Sequence, residues 1–240
     1  MVDSSVHERY LDALLQGDRS RSRSVIEEVL QRGITANNVY VDIIWPIMEE
    51  IEKLHRAERI TPVQEHLATR INRTIADQLQ NKLPRRPAKG KRIVICCAPH
   101  ELQELGAQMT ADFFESDGWE VRFIGGGLTN DDILAYINEH GPDILLIYGS
   151  TPHQAPDVRR LIDTIRSVDA WPQMRILLSG GVFNRAEGLW EEIGADLFAE
   201  TAVKALQVAH QDYPQQPVLR TINRRKKRPK VMAPAETVGA

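Results

Sequence analysis

The residues with the greatest chemical potential lie in one loop, Ala98-Pro99-His100-Glu101-Leu102-Gln103-Glu104-Leu105-Gly106, directly after the apolar run 93–97. Glu101 offers a carboxylate that accepts hydrogen bonds. Gln103 offers an amide that donates and accepts, and its oxygen can approach a metal, although as a ligand it is far weaker than imidazole. Gly106 leaves the space of a side chain empty, and His100 supplies a polar loop position. Three further groups carry similar interest: Tyr148 followed by Gly149, Ser150 and Thr151; the pair Gly180-Gly181; and, nearer the N-terminus, His55 with the pair Glu65-His66. His55 could ligate a metal or stabilise the carbonyls of a helix end, and Glu65 suits the first turn of a helix. The sequence pairs no nucleophile with a base, spaces no His and Cys as a metal cluster and carries no nucleotide loop, so independent catalysis has no warrant. Gly125-Gly126-Gly127 reads as a turn before Thr129, an N-cap whose box Asp132 completes. Cys96 and Cys97, adjacent on one strand, point to opposite faces and read as reduced packing residues.

Two kinds of element position these groups. Residues 5–83 show helical periodicity alone. Tyr10, Leu11, Leu14 and Leu15 form one apolar face, and Val25, Ile26, Val29 and Leu30 form a second that ends at Gly33. A third helix opens near Thr35 and must bend around Pro46, which has no amide to donate. Thr61-Pro62-Val63-Gln64 is a capping box with proline at the first helical position, and it opens a fourth helix that runs to about residue 83. Together these make a four-helix bundle. Residues 84–91, rich in proline, glycine and basic side chains, read as an exposed linker.

From residue 92 the pattern alternates. Strand-like runs at 93–97, 120–124, 143–148, 174–179 and 196–199 are each followed by helical patterns near 104–116, 131–140, 154–168, 185–193 and 201–211. Such an alternation requires a five-stranded parallel sheet with helices on both faces and a ligand crevice at the carboxyl ends of its strands, and flavodoxin-like order 2-1-3-4-5 is expected. The loop 98–103 lies at that crevice. After residue 212 the periodicity stops, and 213–240 forms a basic tail with Arg220, Arg224, Arg225, Lys226, Lys227, Arg228 and Lys230. The tail reads as disordered and solvated, with nonspecific contact to nucleic acid or an acidic partner as the alternative.

The 240 residues, 42% hydrophobic and 26% charged, describe an ordinary globular chain, and the net charge of −3 predicts no polyanion partner for its body. No apolar stretch approaches the roughly 20 residues that span a bilayer, and the N-terminus lacks a signal-peptide core. A cytoplasmic protein without membrane association is expected.

A helical bundle, a linker and a flavodoxin-like domain with this loop resemble the cobalamin-binding module of corrinoid methyltransferases, corrinoid carrier proteins and light-sensing cobalamin-dependent regulators, over about residues 5–210. In that family the first strand-to-helix loop carries Asp-x-His-x-x-Gly, where the His lies below cobalt, the Asp orients it and the Gly admits the nucleotide tail. Aligned on Gly106, this chain has Glu101 and Gln103 instead, giving Glu-x-Gln-x-x-Gly. The resemblance implies that Gly180-Gly181 leaves room for the tail. It puts Tyr148 where the family has a Ser, with Ser150 offering a hydroxyl or amide nearby. Glu65-His66 matches the regulators' cap pair, with His55 in place of their Trp ten residues before Glu65. Trp45 lies elsewhere on the third helix.

The resemblance implies cobalamin as cofactor, with Gln103 and His55 as candidate metal ligands. Three readings follow: a non-catalytic cobalamin-binding sensor or regulator, light-responsive or otherwise, that signals through a protein partner or homo-oligomerisation; a cofactor-free module, or one repurposed for another tetrapyrrole; and a corrinoid methyl carrier. The first stands ahead of the second, and the second ahead of the third.

Overall fold

The computed structural model describes residues 3–211; the basic tail 213–240 lies outside the described residues. The chain begins with α1 (Ser4–Leu15) and α2 (Arg19–Gln31), each opened by an aspartate, Asp3 and Asp18, whose carboxylate accepts an otherwise unsatisfied amide of the first turn. The third helix consists of α3 (Ala36–Val39), a π-helical stretch Tyr40–Ile44 and α4 (Trp45–Arg56). The anticipated bend at Pro46 is thus absorbed by a widened turn just before it. Pro46 cannot donate to the Asp42 carbonyl, and Nε2 of His7 sits 2.6 Å from that oxygen in its place. The predicted box of Thr61 and Gln64 opens α5 (Pro62–Gln80), with both of its reciprocal hydrogen bonds formed.

The second half alternates as expected: β1 (Arg92–Cys97), α6 (Leu105–Ser116), β2 (Glu120–Gly125), α7 (Asn130–His140), β3 (Ile144–Tyr148), α8 (Ala155–Val168), β4 (Arg175–Ser179), α9 (Gly181–Arg185), α10 (Leu189–Ile193), β5 (Leu197–Ala199) and α11 (Ala202–Ala209). All strands pair in parallel in the order β2-β1-β3-β4-β5. One helix predicted near 185–193 is two short ones, α9 and α10, because Gly188 turns left-handed between them with φ of 74°.

Alternation along β3 decides what fills the site. Ile144, Leu146 and Tyr148 face α6 and α11 together with Ile93, Ile95 and Cys97 of β1, whereas Leu145 and Ile147 face α7 and α8. Register aligns Cys97, Tyr148 and Ser179 across the carboxyl edge of the sheet. The bundle's core does not stop at its own helices: Leu105, Met109 and Phe113 of α6 belong to the same apolar cluster as Tyr10, Tyr40, Ile44 and Ile75.

Residues 84–91 are exposed but tied down. The amides of Arg86 and Lys89 donate to the carbonyls of Ser116 and Gly118, and both side chains reach Asp117, which is buried and also 2.7 Å from Nε2 of His210.

Candidate functional site

A cleft with a cavity of about 60 Å³ opens between α4 and α5 of the bundle and the carboxyl edge of the sheet. The sheet side contributes Gln103, Tyr148, Ser150, Gly180 and Gly181. The bundle side contributes Trp45, Met48, Glu49, Glu52, Glu65 and Asn72. Strand β1 delivers the loop to this edge, the Ala98 amide bonds to the Tyr148 carbonyl at 2.7 Å, and His100 takes a left-handed φ of 63° to start the turn into α6.

The loop carboxylate is consumed by backbone. One oxygen of the buried Glu101 accepts the Gln103 amide at 2.8 Å and the other accepts the Ser150 amide at 2.7 Å. Glu101 therefore braces the loop against the end of β3 and orients no imidazole. The Gln103 side chain donates its amide hydrogen to the buried Glu65 carboxylate, which joins the loop to α5. Farther along α5, Arg73 reaches Glu104 at 3.3 Å, Asp77 accepts from Gln108 at 2.6 Å and Gln80 donates to Glu115 at 3.2 Å. One polar row of the cap helix thus meets the loop and α6 along its whole length.

Gly106 opens the first full turn of α6 against Tyr148. A methyl group placed on Gly106 would lie 2.7 Å from Cζ of Tyr148 and closer still to its hydroxyl. Burial, together with the carboxylate of Glu101, pushes the Tyr148 hydroxyl well above the usual tyrosine range, so it stays protonated. Gly180 has φ of 107° and packs on the backbone of Gly149, a conformation and a closeness that only glycine accepts. Beside Gly181, Arg185 bonds to Glu52 of α4 and donates to the Ser150 carbonyl at 2.5 Å, forming a second bridge across the cleft.

Of the residues singled out in the sequence, Glu101, Gln103, Gly106, Tyr148, Ser150, Gly180, Gly181 and Glu65 gather at this edge. His55 and His66 do not line the cleft: His55 closes the last turn of α4, and His66 is exposed with Nε2 3.9 Å from Glu65. The aromatic wall is Trp45, half-buried and hydrogen-bonded to Glu49 at 3.0 Å. Sequence reasoning set Trp45 aside, yet Trp45, Met48, Glu49 and Glu52 follow the spacing of one helix face and identify it. Asn72 was also missed. It is fully buried, its oxygen accepts from Tyr10 at 2.6 Å, and its Nδ2 donor has no partner although the side chain lines the cleft.

Burial favours the protonated form of both thiols, pushing Cys96 up to about 12 and Cys97 higher. Among the described residues no group of three His, Cys, Asp or Glu side chains could hold a metal ion.

The family model for the B12 binding domain matches residues 91–207, and a second B12 binding domain model matches residues 6–80. The chain belongs to the B12-binding family. Its α/β half carries the cofactor-binding domain and its helical half the accompanying cap, and cobalamin, or a related corrinoid, is the cofactor. A corrinoid protein of Desulfitobacterium hafniense is 27% identical over 124 residues, 51% of this chain and 56% of that protein. Monomethylamine corrinoid protein 2 of Methanosarcina acetivorans is 20% identical over 216 residues, 87% of this chain and 98% of that one. The solved structure of the Methanosarcina barkeri monomethylamine corrinoid protein has the same fold, with a TM-score of 0.77 at 16% identity over 87% of this chain and 98% of that one.

The bundle side of this cleft has the chemistry that a corrin ring would need. Trp45 offers a flat apolar face, Glu49 can accept from carboxamide hydrogens, and Asn72 holds an unpartnered amide donor buried behind the cleft wall. The sheet side presents an amide, Gln103, where the family has an imidazole.

Proposed function

We propose that this chain is a non-catalytic, corrinoid-responsive regulatory protein, in which occupation of the cleft changes how the helical cap sits on the sheet domain and a protein partner reads the change. The observation that carries this reading is the hydrogen bond from Gln103 to Glu65. It joins cap to loop at the position where the family interacts with its cofactor, so a ring inserted between them must replace it. Binding energy is then coupled to the separation of two elements, which is what a regulatory readout requires. A bound corrinoid supplies the cobalt chemistry; the residues of this chain bind it, orient it and hold the cap.

The test is gel filtration of the purified protein after incubation with hydroxocobalamin in the dark, followed by its absorption spectrum. Retained cofactor at one per chain is expected. Glu65→Ala removes the bond that must be broken and should bind about five times more tightly, the equivalent of about 1 kcal/mol. Elution without cofactor, or weaker binding by Glu65→Ala, refutes the reading. Loading with adenosylcobalamin and comparing elution in dark and light asks whether the upper ligand is part of the signal.

A second reading, a corrinoid carrier serving a methyltransferase, is favoured by the alignment of this chain with nearly all of the monomethylamine corrinoid protein. It predicts that the reduced, loaded protein accepts a methyl group from a donor methyltransferase. The regulatory reading predicts that it does not.

A further inference from the structure

We propose that the corrinoid held by this chain keeps its nucleotide tail out of the sheet domain, so that cobalt receives its lower ligand from the cofactor's own base and not from a protein side chain. This rests on the corrinoid-binding reading above and specifies the form of the ligand that the cleft accepts. The chemistry recognised is a corrin ring that sends no nucleotide tail into the sheet domain. Cobalamin with its base coordinated meets that description, and a tail-less corrinoid such as cobinamide is the comparison ligand.

The recess beside Gly106, which in the resembling proteins admits the tail, is occupied here by Tyr148. Its ring cannot simply swing away. The strand alternation of β3 directs it to the α6 face, register fixes it between Cys97 and Ser179, and it is 8% exposed. Deeper along the same edge, the space over Gly149 is bounded by Gln154 and Phe183 at 3.4 Å. Gln154 is committed there, its oxygen accepting the Ser150 and Thr151 amides at 3.1 Å. The space over Gly181 is bounded by Nη1 of Arg185 at 2.5 Å and the Glu52 carboxylate at 3.1 Å. Gly106, Gly149 and Gly181 are therefore each backed by a side chain of this protein, and Gly180 by the backbone of Gly149.

Charge points the same way. A tail carries a phosphodiester. Along Gly180-Gly181 it would meet Glu52 and Glu200, and the cations there are already engaged, Arg185 by Glu52 and the Ser150 carbonyl and Arg56 by Glu52 at 3.6 Å. Gln103 completes the argument from above. Its amide hydrogen is given to Glu65, and its oxygen is a poor competitor against a benzimidazole nitrogen for cobalt. A protein that displaced the cofactor's base would need both a better ligand at 103 and an open recess at 106. This chain has neither.

The experiment is electron paramagnetic resonance of cob(II)alamin bound to the full chain uniformly labelled with the heavy nitrogen isotope. The expected spectrum shows each cobalt line split into a triplet, the signature of ordinary nitrogen and hence of the cofactor's own unlabelled base. Doublets, from a labelled protein nitrogen, or unsplit lines, from a detached base, overturn the proposal while leaving corrinoid binding intact. A titration compares the two ligands. Cobinamide and cobalamin should bind with dissociation constants within about tenfold of each other, because the tail enters no groove of the sheet domain; a hundredfold or greater preference for cobalamin, about 2.7 kcal/mol, overturns it. Tyr148→Ser, which empties the recess, should shift that ratio toward cobalamin by about tenfold or more, with Tyr148→Phe unchanged. A ratio that does not move in the Ser variant removes Tyr148 from the argument. Failure of both corrinoids to bind refutes the corrinoid-binding reading itself, a result separable from every outcome above.

Discussion

Asp112 allows a sharp test of how the cap is held. It sits on α6, 6% exposed, with Oδ2 2.8 Å from the hydroxyl of Tyr40 in the π-helical stretch; that hydroxyl is also 2.8 Å from the Ala76 carbonyl of α5. Burial pushes the Asp112 carboxyl up to about 6, with the Tyr40 hydrogen bond opposing the shift. Tyr40 has one proton and two acceptors. When Asp112 is protonated it donates to Tyr40, which donates to Ala76, and the chain of bonds is complete; when Asp112 ionises, one link is lost and a charge is buried. The folded value lies above the unfolded one of 3.8, so the folded state holds the extra proton between them, and stability falls as pH rises through about 6. A shift of about two units corresponds to about 3 kcal/mol between the fully protonated and fully ionised limits. Somewhat less than half of this, about 1 kcal/mol, falls between pH 5 and pH 8. Asp112→Asn retains a hydrogen-bonding side chain and does not titrate. Urea unfolding followed by far-ultraviolet circular dichroism should therefore show the variant gaining on the parent by about 1 kcal/mol from pH 5 to pH 8. A difference between the two proteins that is constant with pH, or that runs the other way, refutes the assignment of Asp112 as a buried, destabilising charge at neutral pH.

Two other perturbations follow from packing and pairing. Gly106→Ala drives a methyl group into Tyr148 and should cost about 2 kcal/mol, most of it recovered in the double variant with Tyr148→Ala; additive losses in the thermal or urea cycle would show that the two do not touch. Burial raises the Asp117 carboxyl, but Lys89 and His210 outweigh it and hold the group below its ordinary value, so its contribution is present above about pH 4 and is lost as pH falls through the folded value. Asp117→Asn should cost about 2 kcal/mol at pH 7 and open the 84–91 segment to trypsin after Arg85 and Lys89, and unchanged cleavage would count against the clasp.

The architecture was legible because each strand of the second half is a compact apolar run followed by a helical pattern, and because the cap helices carry explicit start signals such as Thr61-Pro62 and Asp18. What escaped the sequence has local causes. The π-helical stretch answers a missing amide at Pro46 together with a distant His7, and the break between α9 and α10 depends on the handedness of Gly188 alone. The site was legible on the sheet side, where residues lie at strand ends, which the α/β pattern locates. On the cap side a linear motif placed His55 beside Glu65-His66, but the rotation of α4 about its axis turns Trp45 and Glu52 to the cleft instead. Long-range bridges such as Arg185 to Glu52 leave no trace in periodicity.

The apolar cluster that passes from the bundle into α6 makes the cap's core depend on the sheet domain. Separating the halves within 84–91 would expose Leu105, Met109 and Phe113 on a fragment that still keeps the two apolar clusters flanking its sheet, and Tyr40, Ile44 and Ile75 on a cap that loses one wall of its only large cluster among the described residues. The dependence is one-sided, and a partner that captures the cap alone would have to supply the apolar surface that α6 now provides.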